Sequence, residues 1–177
     1  MNEKVLKALN DQVNMEIYSA YLYYAMAGYF MSINLTGFAN WMHAQTKEEL
    51  YHAFKFYAFI NEKRARSLMQ PIEGPPNEWA SPIAAFEDAL AHEMKVTASI
   101  NSIMELAVKE KEHATVNFLQ WFISEQVEEE ANVDGALQNL KMAAGAGPAM
   151  MMLDREMSAR KFNVPLEMQP FMTAAAV

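Results

Sequence analysis

Four stretches of this chain repeat apolar residues at alternating steps of three and four, and each apolar stripe is broken mid-way by ionisable residues. The first runs Leu9, Val13, Glu16, Ala20, Tyr23, Ala27, Phe30, and the second Phe38, Met42, Gln45, Glu49, His52, Phe56, Phe59. The third is Ile83, Phe86, Leu90, Glu93, Thr97, Ile100, Met104, and the fourth Phe118, Phe122, Glu125, Glu129, Asn132, Ala136. Such spacing keeps residues on one helix face, so these carboxylates and the imidazole are predicted to point inward with the hydrophobes. An isolated buried carboxylate loses several kcal/mol of hydration and takes up a proton rather than stay charged. Several converging at one level are most economically explained by a bound cation.

Composition narrows the partners of such a site. At 177 residues and 52% hydrophobic content the chain suits one globular domain with a substantial core. The net charge of -8, with no compensating basic cluster, argues against nucleic acid. Without cysteine, disulfides, thiolate zinc and iron–sulfur clusters are excluded, and any metal must be held by oxygen and imidazole nitrogen. The start, Met1 to Lys4, does not open a signal sequence, and the apolar run Tyr21–Met31 is too short to span a bilayer. The expectation is a cytoplasmic protein with no membrane partner.

The breaks between stripes predict the connections. Helices are expected over about 3–32 and 36–64, the second with Thr36 as N-cap. An extended linker follows from Ser67 to Ala80, carrying Pro71, Gly74, Pro75 and Pro76. Ser81-Pro82 starts a third helix to about Lys109. A fourth runs from about Ala114 to Ala144, stopped by Gly145 and Gly147, and a short fifth covers Pro148 to Phe162. A helix of about 28 residues is roughly 42 Å long, and a dozen nearly extended residues at ~3.3 Å each can run back along it. The linker therefore permits parallel second and third helices. The predicted fold is all-α: a four-helix bundle with one long crossover, the ferritin-like arrangement, plus a short fifth helix. Residues 1–162 form the domain, and 163–177 are expected to be a poorly ordered tail.

Glu-x-x-His pairs arise by chance, and two occur here. Glu110-x-x-His113 lies among Lys109, Lys111 and Glu112 at a helix end and reads as a solvated surface pair. Glu49-x-x-His52 instead sits between Gln45 and Phe56 on an apolar stripe, matched by carboxylates on three other helices. It reads as a metal site.

Several segments resemble the ferritin family over nearly the whole chain: Asn14-Met15-Glu16-Ile17-Tyr18-Ser19, Glu48-Glu49-Leu50-Tyr51-His52, His92-Glu93, Asn117-Phe118-Leu119-Gln120-Trp121 and Ser124 to Glu130. The last two look like the fourth helix of prokaryotic non-haem ferritins. The resemblance implies that Glu16, Glu49 and His52 form a first iron site with Glu49 bridging, that Glu93 and Glu129 ligate a second iron, and that Gln126 offers it an amide. It further implies a third iron site at Glu48, Glu125, Glu128 and Glu129, and an aromatic pair, Tyr23 and Trp121, beside the centre. Where bacterioferritins carry a second Glu-x-x-His, this chain has Gln126 and Glu129, which implies a loosely held second iron. Leu50 stands where a haem-ligating methionine would, so no haem is expected. The start of the fourth helix, Ala114 to Gln120, lacks the carboxylates of animal ferritin three-fold channels.

By that resemblance the chain is expected to be a ferroxidase. It would oxidise Fe(II) with O2 or H2O2 at a di-iron centre and store Fe(III) as mineral in a 24-subunit homo-oligomeric shell. Tyr23 could supply an extra electron or simply pack its ring in the core. Two other classes stay open: a di-iron peroxidase or oxygenase that retains its metals, and a metal-free helical interaction protein.

Overall fold

In the computed structural model, which describes residues 1–163, Pro165 and Leu166, the periodic segments are helices: α1 (Glu3–Ser32), α2 (Thr36–Glu62), α3 (Pro82–Lys109), α4 (His113–Ala143) and α5 (Gly147–Met157). Most of the tail anticipated beyond residue 162 lies outside the described residues. No described helix is long and apolar enough to cross a membrane.

Local chemistry sets most helix ends. The Asn2 side chain accepts from Lys4 N–H at 2.8 Å, and Ser81 Oγ from Ala84 N–H at 3.1 Å, satisfying donors that open α1 and α3. At the other ends, Asn34, Arg64 and Lys111 adopt left-handed backbone with φ near 59°. In each case the next residue's N–H reaches back five positions: Leu35 to Phe30 O, Ala65 to Ile60 O and Glu112 to Ala107 O. This is the Schellman closure, made here without glycine.

α2 begins differently from expectation. Thr36 is its first helical residue, and Leu35 at the cap offers no side-chain bond. The capping group comes from α5: Asp154 Oδ1 accepts from Gly37 N–H at 2.8 Å and Phe38 N–H at 3.0 Å. A carboxylate there also complements the positive end of the helix dipole. α5 itself stops at Met157, short of the predicted Phe162. Asn40 Nδ2 donates to the carbonyls of Ser158 and Arg160 at 3.1 and 3.0 Å, so tertiary donors replace helical ones and the chain leaves the helix.

The crossover runs as the linker length predicted. Leu68 N–H donates to Asn10 Oδ1 near the start of α1 at 2.6 Å, and Trp79 packs on Tyr29 near its end, ring centroids 5.5 Å apart. The linker thus travels along α1, and α3 starts where α2 started, parallel to it.

The polar breaks fall at one height and divide the core in two. One apolar cluster includes Tyr23, Phe30, Phe38, Met42, Phe86 and Leu137; the other includes Leu9, Val13, Phe56, Ile60, Ile100 and Phe122. Buried Glu16, Gln45, Glu49, His52, Glu93, Gln126 and Glu129 lie between them in sequence on all four helices. The α4 face is rotated from the predicted stripe: Leu119, Phe122, Gln126, Glu129, Val133 and Leu137 are buried, whereas Asn132 is exposed and Phe118 and Glu125 lie at the edge. Apolar residues flank that stripe on both sides, so packing rather than spacing chooses between two adjacent phases.

A Cβ on Gly37 would lie 1.6 Å from the Asp154 carbonyl oxygen. Gly37→Ala should therefore displace α5, and cleavage between α4 and α5 under limited proteolysis should accelerate at least about tenfold. Asp154→Asn, which keeps an acceptor, should stay near the parental rate. Equal rates for parent and Gly37→Ala would show that α5 does not dock this way.

Candidate metal centre

The polar layer is a cluster of carboxylates around one imidazole. Glu16, Glu49 and His52, all buried, each offer a ligand atom within 4.8 Å of the others. His52, Glu125 and Glu129 form a second such group. His52 is shared because its two nitrogens face apart: Nδ1 is 3.5 Å from Glu49 Oε2, and Nε2 is 3.9 Å from Glu125 Oε1.

Neighbouring donors hold the carboxylates. Gln12 Nε2 donates to Glu16 Oε1 at 2.8 Å, while its own oxygen accepts from Ser99 Oγ at 2.5 Å. Tyr23 O–H donates to Glu93 Oε1, and Gln126 Nε2 approaches Glu93 Oε2 at 3.2 Å. Gln45 Nε2 donates to Glu129 Oε2 at 2.8 Å. Within this layer Glu16 Oε2, Glu49 Oε1 and His52 Nε2 are buried without a hydrogen-bond partner, as are Asn14 Oδ1, Ser67 Oγ and Thr115 Oγ1 elsewhere. Native interiors rarely leave such atoms unsatisfied. Hard carboxylate oxygens and an imidazole suit a divalent iron, zinc or manganese ion.

The electrostatics say the same. Burial raises the pKa of Glu16, and that of Glu49 well above the usual range, the latter with added repulsion from Glu93. Glu93 is likewise raised by burial, although bonds from Tyr23 and Gln126 oppose it. Glu129 is pushed to about 8 by burial and by the charges of Glu48 and Glu93. Burial disfavours charge on His52, but Glu49, Glu125 and Glu16 reverse this and hold its pKa well above normal. Burial and Glu93 keep the Tyr23 phenol protonated far above its usual range.

Not every anticipated residue joins the groups. Glu93 belongs to neither compact group, both its oxygens being engaged by Tyr23 and Gln126. Glu128 is exposed, and Glu48 is tied to Arg160 at 3.0 Å. Trp121 packs on His52 with centroids 5.5 Å apart, whereas the ring beside Tyr23 is Trp41, at 6.4 Å. Glu110 accepts from Asn2 and His113 is exposed; neither joins a group. His92 is buried with Nε2 2.7 Å from Ser19 Oγ, and burial lowers its pKa to about 4. Sequence reading assigned no role to Gln12, Gln45 or Arg160. Gln45 interrupts a stripe and could have been flagged on that ground. Arg160 lies outside the four apolar stripes and gives no such signal.

A crossover bundle with carboxylates and a Glu-x-x-His facing one level is the class in which ferritin-like proteins build metal sites. Residues 6–143 match the family model of the ferritin-like domain. A bacterial non-heme ferritin of Staphylococcus saprophyticus subsp. saprophyticus is 38% identical over 163 residues, covering 92% of this chain and 98% of its own. That of Staphylococcus aureus is 35% identical over the same coverage. Among solved structures, an Archaeoglobus fulgidus ferritin engineered into a closed form superposes with TM-score 0.91 at 48% identity, over 92% of this chain and 99% of that one. The open-pore ferritin of the same hyperthermophilic archaeon gives 0.90 at 48% identity, over 91% and 99%. The chain belongs to the ferritin family, whose members in general store iron and oxidise Fe(II).

The raised pKa values carry a stability consequence. The metal-free native state holds protons on Glu129 and its neighbours that the unfolded chain, with carboxyls near 4.5, has released. Stability should therefore fall as pH rises from about 5 through about 8. His52, also raised, acts in the same direction. Glu129→Gln should flatten part of this fall in unfolding midpoints recorded against pH. A parent midpoint that rises across that window would contradict the assignment.

Proposed function

We propose that the protein is a ferroxidase that stores iron, with Fe(II) as its substrate. The observation that carries this is that Glu16 Oε2, Glu49 Oε1 and His52 Nε2 are buried without a hydrogen bond within one cluster of carboxylates. In this reading Glu16, Glu49 and His52 bind one ferrous ion, and Glu93 and Glu129 a second, with Glu49 between them. Gln126 orients Glu93 and leaves the second ion one charged ligand poorer than a carboxylate would, which suits onward transfer. Each Fe(II) yields one electron, so a pair reduces one O2 to H2O2, with two protons, or one H2O2 to two hydroxides. Because the carboxylates hold protons before binding, loading releases them and weakens in acid.

Tyr23 is assigned as a reserve electron donor. Its hydrogen bond supports this, since the phenolic proton can pass to Glu93 as the electron leaves. Fe(III) then moves toward Glu48, Glu125 and Glu128, where Glu129 and Glu125 border a third site. From there it enters a mineral within a homo-oligomeric shell of 24 subunits in the cytoplasm. The likeness to an open-pore ferritin supports the shell.

Anaerobic loading with tens of ferrous equivalents per chain, then oxygen, should yield a particle of several hundred kilodaltons retaining many irons per chain. Glu49→Ala and His52→Ala should each slow the initial oxidation at least about tenfold. A small species saturating near two irons would replace storage with a metal-retaining oxidase. Full oxidation by both variants would remove the centre from the mechanism.

A further inference from the structure

Beyond α5 the chain lies along α2. The carbonyls of Ser158 and Arg160 are held by Asn40, and Phe162 packs on Tyr51 with centroids 6.1 Å apart. Between these anchors the Arg160 guanidinium sits 4.4 Å above the Trp41 ring. Its Nη2 donates to Gln45 Oε1 and, at 3.0 Å, to Glu48 Oε2. Guanidinium has no acceptor, so the Gln45 amide must turn its oxygen toward Arg160 and its NH2 away. That NH2 is the group bound to Glu129 Oε2 at 2.8 Å. One cation therefore engages Glu48 directly and Glu129 through an amide whose orientation it dictates.

We propose that Arg160 is a tethered cation that holds Glu48 and, through Gln45, Glu129 in the metal-free protein, and that gives up Glu48 to an iron ion passing inward from the buried centre. The inference rests on the ferroxidase reading for the direction of passage. Arg160 is a positioning residue: it touches no iron, and it sets how strongly the inner carboxylates compete for one. An ion arriving at Glu48 must displace a charge-assisted bond, so the inner position binds more weakly than its carboxylates alone would and does not trap iron on its way through. The cost of removing the tether is retention at this position.

The test uses the assembled metal-free protein and Zn2+, which is not oxidised. Calorimetric titration should resolve a tighter and a weaker class of sites. Arg160→Ala should tighten the weaker class about tenfold, the size expected for one charge-assisted bond, with the tighter class within about threefold. Arg160→Lys, which keeps the charge on Glu48, should return the weaker class toward the parent. In the parent, filling the weaker class should also change tryptophan emission as the guanidinium leaves Glu48, and Trp41→Phe or Arg160→Ala should abolish that change. An unchanged or weakened class in Arg160→Ala, a lysine variant indistinguishable from alanine, or emission silent at saturating Zn2+ would each overturn the proposal. Ferrous oxidation by the parent decides the underlying function independently, because the zinc readouts involve no oxidation.

Discussion

Carboxyl groups crowded at mid-height in a closed bundle are the constraint on which the rest of the molecule depends. Apolar side chains at Glu16, Glu49, Glu93 and Glu129 would join the two hydrophobic clusters into one core, and such replacements of buried ionic groups are often neutral or stabilising. The chain instead splits its core and positions Gln12, Gln45, Tyr23 and Gln126 as donors to three of those carboxylates. The clusters above and below supply the rigidity. Phe56 stacks on Phe122 at 4.1 Å and Phe59 on Phe118 at 4.0 Å just below the layer, while Phe30 stacks on Phe38 at 5.4 Å above it. Helices pinned on both sides keep the ligands at one level even though burial and mutual repulsion penalise their ionised forms.

The C-terminal part extends this logic to a distant segment of sequence. Asp154 closes the α2 N-terminus, Gly37 admits α5 at backbone contact, and Asn40 captures the chain as it leaves the helix. All three contacts fall within the first two turns of α2, the helix that carries Gln45, Glu48, Glu49 and His52. Docking of α5 is thus coupled to the centre through one rigid element, and Arg160 is delivered to Gln45 and Glu48 because its backbone is fixed a turn and a half earlier on the same helix.

Reading the sequence worked where polarity and periodicity disagreed. Every residue of the first stripe is buried, and in the second only Phe59 lies at the margin. It failed where several phases were equally apolar. On α4 the predicted stripe made Glu125 and Asn132 inward, but packing buries Gln126 and Val133 in their place. Of the aromatic pair expected beside the centre, Trp121 lies on His52, and the indole packed on Tyr23 is Trp41, which the sequence did not single out. These choices depend on helix rotation, which a period of 3.6 residues specifies only to within about one position.

The sequence by itself determined four long helices, a crossover long enough to make α2 and α3 parallel, and an inward carboxylate on each helix, because spacing and chain length are local quantities. It also determined that any ligand set would be oxygen and imidazole. The tertiary structure alone decided that His52 turns its two nitrogens to different carboxylates, that Glu93 is engaged by Tyr23 and Gln126, and that Arg160 closes on Glu48. Those contacts join residues 70 to 112 positions apart in the chain, apart from the local Glu49–His52 pair and Gln126, and no local pattern encodes which side chains a folded bundle brings within bonding distance.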